Sequence, residues 1–230
     1  MRRHDWSGFV ALGAFLFALL QLVRGQLASS LAALAVVAVA GMLTRRWSLE
    51  HPGPMPHLLR WTLLVPRGNQ SPRHLERILG PCAGERLLEV GPGIGIHAVA
   101  VARSLGPDGT LDVVDVQQTM LDDVLRRARV SGVGNITARQ GDAERLPYAD
   151  GTFDGAYLVG VLGEIPDGQA ALRELRRVLK RDGRLVVGEV FFDPDFVSFA
   201  SLRARAEAAS FAFERRLGGA LSYLARFSPK

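Results

Sequence analysis

The feature that most constrains this chain is a glycine loop placed between an apolar run and a helical pattern. It lies in RLLEVGPGIGIHAVAVARSLGPDGTLDVVDV, residues 86–116, where Gly91, Gly93 and Gly95 occupy alternate positions. The apolar RLLEVG reads as a buried parallel strand. GIHAVAVARSLG has small and apolar residues at helical spacing and stops at Gly106-Pro107, and TLDVVDV reads as a second strand. Together they make a β-α-β unit of about thirty residues, the setting in which a glycine loop binds ligands. Glycine lets the backbone turn sharply and approach a ligand, and the helix that follows presents unpaired N–H groups.

The spacing discriminates between ligands. A dinucleotide fingerprint, G-x-G-x-x-G, needs its third glycine at position 96, and that residue is Ile96. The pattern here is E-x-G-x-G-x-G, beginning at Glu89. Asp115, twenty residues beyond Gly95, closes the second strand, where a carboxylate accepts both hydroxyls of an adenosine ribose. Glycine-rich strand–helix turns also occur for packing; it is Asp115 that points to a ligand.

With these residues in view, the chain resembles the class I S-adenosylmethionine-dependent methyltransferases over residues 71–227. The likeness continues in order through QGDAERLPYADGTFDGAYL, FDGAYLVGVLGEIPD and ALRELRRVLKRDGRLVVGEV. This series is most similar to the small-molecule and lipid branch, quinone-ring C-methyltransferases included. The resemblance implies a Rossmann-like α/β three-layer sandwich with a seven-stranded, mostly parallel sheet. FAFERRLGGALSYLARF would close it as an antiparallel hairpin turning at Gly218-Gly219, and Asp182-Gly183 would turn into the fifth strand. It implies S-adenosylmethionine as cofactor. Glu89 would hold the methionine end or order the loop, Gly91, Gly93 and Gly95 would make room for it, and Asp115 would hold the ribose. Val116, Met120, Asp142, Ala143 and Val159 complete the implied cofactor set, Asp142 facing the adenine amino group.

The acceptor side is less marked. Gly160, Glu164 and Asp167 follow the fourth strand, and His97 stands near the helix start. Glu164 is a candidate base for a phenol or an amine, or a solvated acid; His97 is a candidate catalytic group or a local packing residue. A sulfonium methyl is already activated, and orientation alone supplies roughly 7–11 kcal/mol, so no dedicated base is obligatory. The segment from Asp154 lacks [DN]-P-P-[YF], which speaks against a nucleic-acid base as acceptor. The histidines show no metal-ligand spacing and Cys82 is the single cysteine, so neither a zinc site nor an internal disulfide is expected.

The N-terminus poses a different question. Residues 8–23 and 27–43 are two uncharged apolar stretches, each slightly short of a ~30 Å hydrocarbon core. Arg2 and Arg3 precede them, Arg45 and Arg46 follow, and Trp6 and Trp47 mark the outer ends. This pattern describes a transmembrane helical hairpin with both outer ends cytoplasmic. A cleaved signal peptide and a pair of buried core helices are the competing readings. The basic excess is confined to this end: residues 1–80 carry nine arginines against three acids, while residues 81–230 carry nineteen basic against twenty acidic residues. Such a distribution suits an anionic membrane surface better than nucleic acid.

Three segments follow: a transmembrane hairpin (1–45), a basic proline-rich linker or interfacial segment (46–70) and a catalytic domain (71–230). HLLRWTLLVPR in the linker reads as a membrane-surface element, a lid over the cleft, or plain packing. The expected partners are the lipid bilayer and a lipophilic or small-molecule acceptor. The competing functions are methyl transfer to a soluble acceptor and a catalytically silent cofactor-binding module. Small residues such as Ala28, Ser29, Ala32, Ala33 and Gly41 permit close helix contacts, but the sequence does not fix an oligomeric state.

Overall fold

The computed structural model describes Phe17, residues 27–64 and residues 68–230. The chain divides into two compact units, Met1–Pro52 and Gly53–Lys230. Apart from Phe17, the first apolar stretch lies outside the described residues, and with it the expected hairpin.

In the first unit, helix α1 spans Leu27–Glu50. It runs seven residues past the expected end at Leu43, carrying Arg45, Arg46 and Trp47 within it, so the expected start of the linker at residue 46 falls inside the helix. The extension is held by Thr44 Oγ1, which donates to the Ala40 carbonyl at 2.9 Å, and by an Arg46–Glu50 ion pair at 3.0 Å one turn apart. It stops where His51 precedes Pro52, because proline disfavours helical backbone in the residue before it. Twenty-four residues make about 36 Å of helix, which supplies the length the apolar stretch lacked. Among the described residues, Leu31–Glu50 is the one segment long and apolar enough to cross a membrane, with mean hydropathy 1.3.

The second unit is built on a seven-stranded sheet in the order β3-β2-β1-β4-β5-β7-β6. The strands are β1 Arg86–Val90, β2 Thr110–Asp115, β3 Ile136–Gln140, β4 Phe153–Val159, β5 Leu179–Val190, β6 Phe211–Gly218 and β7 Ser222–Pro229. The first five pair in parallel, and β7 inserts antiparallel between β5 and β6. The expected hairpin is therefore present. Helices α2 Pro72–Leu79, α3 Ile96–Ser104 and α4 Gln118–Val130 cover one face, where Leu75, Ile78, Val101 and Val124 pack on Leu87, Val113 and Val186. Helices α5 Gly168–Val178 and α6 Phe199–Ala208 cover the other, with Leu172, Leu175 and Leu202 against Leu158 and Val187. This is a three-layer α/β sandwich.

Two local expectations are refined. Ser71 stands at the N-cap of α2 with Pro72 following, but its hydroxyl meets His74 Nδ1 at 2.7 Å instead of capping a backbone N–H. Asp182-Gly183 lies within β5, not in a turn between elements. There the strand bulges, five steps from Leu179 to Arg184 matching two from Phe153 to Gly155 on β4. Arg184 emerges from that bulge to donate to the carbonyls of Leu79 and Gly80, satisfying the C-terminus of α2.

Candidate active site

The strand order reverses between β1 and β4, and in open α/β sheets this is where a crevice opens at the carboxyl ends of the strands. The glycine loop leaves β1 at that point. Gly91 donates its N–H to the Val114 carbonyl at 2.8 Å, turning the chain hard over β2. Its φ of 67° is left-handed, and a Cβ there would stand 2.5 Å from Val161 Cγ2. At Gly93, φ is 53° and a Cβ would meet Leu63 Cδ1 at 2.8 Å. The loop's bare backbone is thus required by the protein's own neighbours as well as by any ligand.

Beneath the loop, Glu89 is 2% exposed and accepts the Tyr157 hydroxyl at 2.9 Å. Burial lifts its pKa to about 8; the Tyr157 bond opposes that rise and the nearby Asp115 charge adds to it. At the end of β2, Asp115 Oδ1 accepts the Gln117 N–H at 2.8 Å. Burial raises this carboxyl's pKa too, against the lowering effect of the backbone N–H groups of Gln117 and Val116. Val159 ends β4 across the switch point, so Glu89, Asp115 and Val159 lie towards the carboxyl ends of three adjacent strands.

The remaining cofactor candidates lie on the elements beyond β2 and β3. Val116 is 45% exposed, Met120 is buried in the first turn of α4, and Ala143 is buried after β3. Asp142 Oδ1 accepts the Glu144 N–H at 2.9 Å, which fixes the bend beside Ala143.

On the acceptor side the candidates separate. Asp167 is the N-cap of α5, accepting the Ala170 N–H at 2.8 Å. His97 Nε2 meets the Gln70 carbonyl at 2.7 Å, tying the start of α3 to the segment before α2. Glu164 accepts the Met55 N–H at 3.2 Å. Burial pushes its pKa well above the carboxylate range; Asp195, Asp193 and Asp115 push it further and the Met55 N–H pulls it back. The segment after β5 is packed directly on this loop, since a Cβ at Gly163 would collide with the Asp195 carbonyl oxygen.

Sequence reasoning offered a lid as one reading of the segment that crosses the crevice, but it did not single out Met55. Met55 is held on both sides, its N–H by Glu164 and its carbonyl by Gln117 Nε2 at 2.9 Å. A 3-10 helix, His57–Leu64, follows, with His57 Nε2 on Asp123 Oδ2 at 3.0 Å and Leu63 over Gly93. Residues 55–63 therefore form a strap across the glycine loop. Gln70 was also missed: it is 4% exposed and neither end of its buried amide has a hydrogen-bond partner. No pattern around either residue marks it, because the contacts join segments far apart in the chain.

Residues 88–187 match the protein family described as "Methyltransferase domain". Residues 88–187 are thus a methyltransferase-like domain. Over 117 residues, the chain is 38% identical to the ubiquinone/menaquinone biosynthesis C-methyltransferase UbiE of Haemophilus ducreyi, covering 48% of the chain and 44% of that protein. It is 33% identical over 137 residues to the demethylmenaquinone methyltransferase of Lactobacillus johnsonii, covering 58% and 56%. The chain spans about half the length of these curated relatives. The crystal structure of a methyltransferase from Aquifex aeolicus matches with a TM-score of 0.69 at 18% identity, over 76% of this chain and 98% of that one, an agreement in fold.

The residues around the glycine loop fit the groups of S-adenosylmethionine. Asp115 ends its strand as a carboxylate for vicinal hydroxyls, Glu89 is a buried carboxyl for a cationic end, and the buried Gln70 amide beside α3 has unused donors and an unused acceptor. Bound there, S-adenosylmethionine supplies an electrophilic methyl group on a sulfonium.

Proposed function

We propose that the chain is a membrane-anchored methyltransferase that places the methyl group of S-adenosylmethionine on a ring carbon of a lipophilic quinone precursor. The observation that carries this reading is that relatives named as quinone-biosynthesis C-methyltransferases align over the segment that holds the donor crevice. α1, with the apolar residues 8–23 before it, is the anchor, and the arginines near its C-terminus keep the catalytic domain on the cytoplasmic side.

In this reading Glu89, Asp115 and the glycine loop orient the donor, and the strap over Gly93 excludes water. Glu164 faces the acceptor. Burial raises its pKa, which makes its ionised form a stronger base for the proton of a ring hydroxyl. The resulting phenolate makes the ring carbon nucleophilic. The carbon–carbon bond forms as the carbon–sulfur bond breaks, and the ring hydrogen then shifts to oxygen to restore aromaticity. One proton remains on Glu164 for return to solvent.

The test incubates the full-length protein in lipid nanodiscs with methyl-labelled S-adenosylmethionine and reduced demethylmenaquinone. Label on the ring, lost in Asp115→Ala, supports the reading. Tight binding of S-adenosylhomocysteine without label on this or any extracted lipid would favour a silent binding module. Protein released from membranes by alkaline carbonate would remove the anchoring half alone.

A further inference from the structure

The strap has a second face. A 3-10 helix has three residues per turn, so positions three apart stack above one another. In His57–Leu64 this places Leu58, Trp61 and Leu64 on one side, and they are 75%, 55% and 61% exposed. Leu63, on the inner side, stands over Gly93. Across Glu164 a second apolar group emerges from the segment after β5. Phe191 and Phe192 are 49% and 88% exposed there, and Phe191 donates its N–H to the carbonyl of Leu221, itself 61% exposed. Large apolar side chains thus flank the acceptor side of the cleft on both edges, where a water-facing rim would carry polar ones.

We propose that this rim docks on the surface of an anionic lipid bilayer, setting the mouth of the cleft at headgroup level. The inference rests on the membrane-anchored reading above. Three observations select a bilayer as the occupant. The six residues between Glu50 and His57 reach at most about 25 Å, so a membrane that holds α1 lets the strap stray no farther than that from the end of the helix. Residues 44–80 carry six arginines against two glutamates, a charge complementary to acidic headgroups. The exposed face combines leucines with a tryptophan, whose indole favours the boundary between headgroups and acyl chains.

The test uses the full-length chain with Trp6→Phe and Trp47→Phe, leaving Trp61 as the sole tryptophan, in vesicles of phosphatidylcholine and phosphatidylglycerol. Docking is read as quenching of Trp61 by lipids brominated on their acyl chains, together with protection from aqueous iodide. A companion protein with Trp47 alone reports the end of α1. Quenching of Trp47 with Trp61 open to iodide overturns the docking while leaving the anchor intact. Neither quenched, with the protein left in solution, overturns both. Leu58→Ser/Leu64→Ser, two changes at exposed positions, should lower turnover of vesicle-borne acceptor by about tenfold, as expected for lost apolar burial, without altering S-adenosylhomocysteine affinity. Unchanged turnover would also overturn the docking.

Discussion

Tyr157 and Glu89 face each other in register on adjacent strands, and the Tyr157 hydroxyl donates to Glu89 Oε2 at 2.9 Å with both side chains buried. The hydroxyl favours the carboxylate, yet desolvation outweighs it and the carboxyl titrates at about 8. In the ligand-free protein Glu89 is therefore mostly a neutral acid at pH 7.

Stability should record this. The folded chain holds a proton on Glu89 that the unfolded chain gives up near pH 4.5, so stability falls as pH rises from about 5 to 8, at up to about 1.4 kcal/mol per unit. Glu89→Gln keeps an acceptor for Tyr157 and removes this contribution. In urea titrations the variant should gain on the parent as pH rises through this window and stop gaining above it. Parallel pH dependences would show that Glu89 is not the titrating group.

Binding should carry the same proton. A cationic ligand end beside Glu89 favours its ionised form, so S-adenosylhomocysteine binding releases a proton below pH 8, and affinity climbs towards that value before levelling. Calorimetry in two buffers of different ionisation enthalpy measures the release. In Glu89→Gln it should vanish.

Asp115→Asn retains an acceptor for the Gln117 N–H but loses the charge offered to the ribose hydroxyls. Hydrogen bonds to charged groups contribute about 1.5–3 kcal/mol, so affinity for S-adenosylhomocysteine should fall roughly 10- to 100-fold. The melting temperature should hold or rise, since burial penalises the Asp115 charge. Undiminished affinity in calorimetry would remove Asp115 from the site.

Gly91→Ala meets two obstacles, the left-handed φ of 67° and Val161 Cγ2 at 2.5 Å. A cost of about 1–3 kcal/mol is expected from the backbone alone, with the contact adding to it. Adding Val161→Ala should relieve the contact but not the backbone strain. A double-mutant cycle by urea denaturation that shows no coupling would refute the contact.

Glu164→Gln tests the acceptor side. The variant keeps an acceptor for Met55 and should bind S-adenosylhomocysteine as the parent does. Turnover should fall about 10²- to 10⁴-fold, the range of general-base catalysis, and the limb of the pH–rate profile in which activity rises with Glu164 ionisation should disappear. Equal turnover in single-turnover assays would leave alignment as the whole mechanism.

Much of the donor side was legible because its signals are local. The alternation of Gly91, Gly93 and Gly95, the strand and helix periods around them, and Asp115 at a strand end lie within one β-α-β unit, and the Gly218-Gly219 turn joins neighbours in sequence. Asp167 was read as an acceptor-side residue, although an acid directly before GQAALREL is also a cap signal, and a cap is what it forms. The end of α1 was misjudged because hydropathy ends at Leu43, whereas helical hydrogen bonding continues until Pro52 forbids it.

The sequence left the strap segment open between a surface element, a lid and packing, and which of these it forms was not legible, for a physical reason. Met55 and Glu164 are 109 positions apart, and nothing in either neighbourhood specifies the other. The face shared by Leu58, Trp61 and Leu64 depends on a three-residue turn that a helical reading at 3.6 does not reveal. The ionisation of Glu89 and Glu164 likewise follows from burial and from charges brought in by distant strands and loops. By itself the sequence determined the backbone of the glycine loop, the elements around it and the carboxylates on them, because steric preference and periodicity act between near neighbours. Only the tertiary structure decided what covers that loop, which carboxyls are neutral and which apolar side chains face outward, because desolvation and contact depend on what packing brings together.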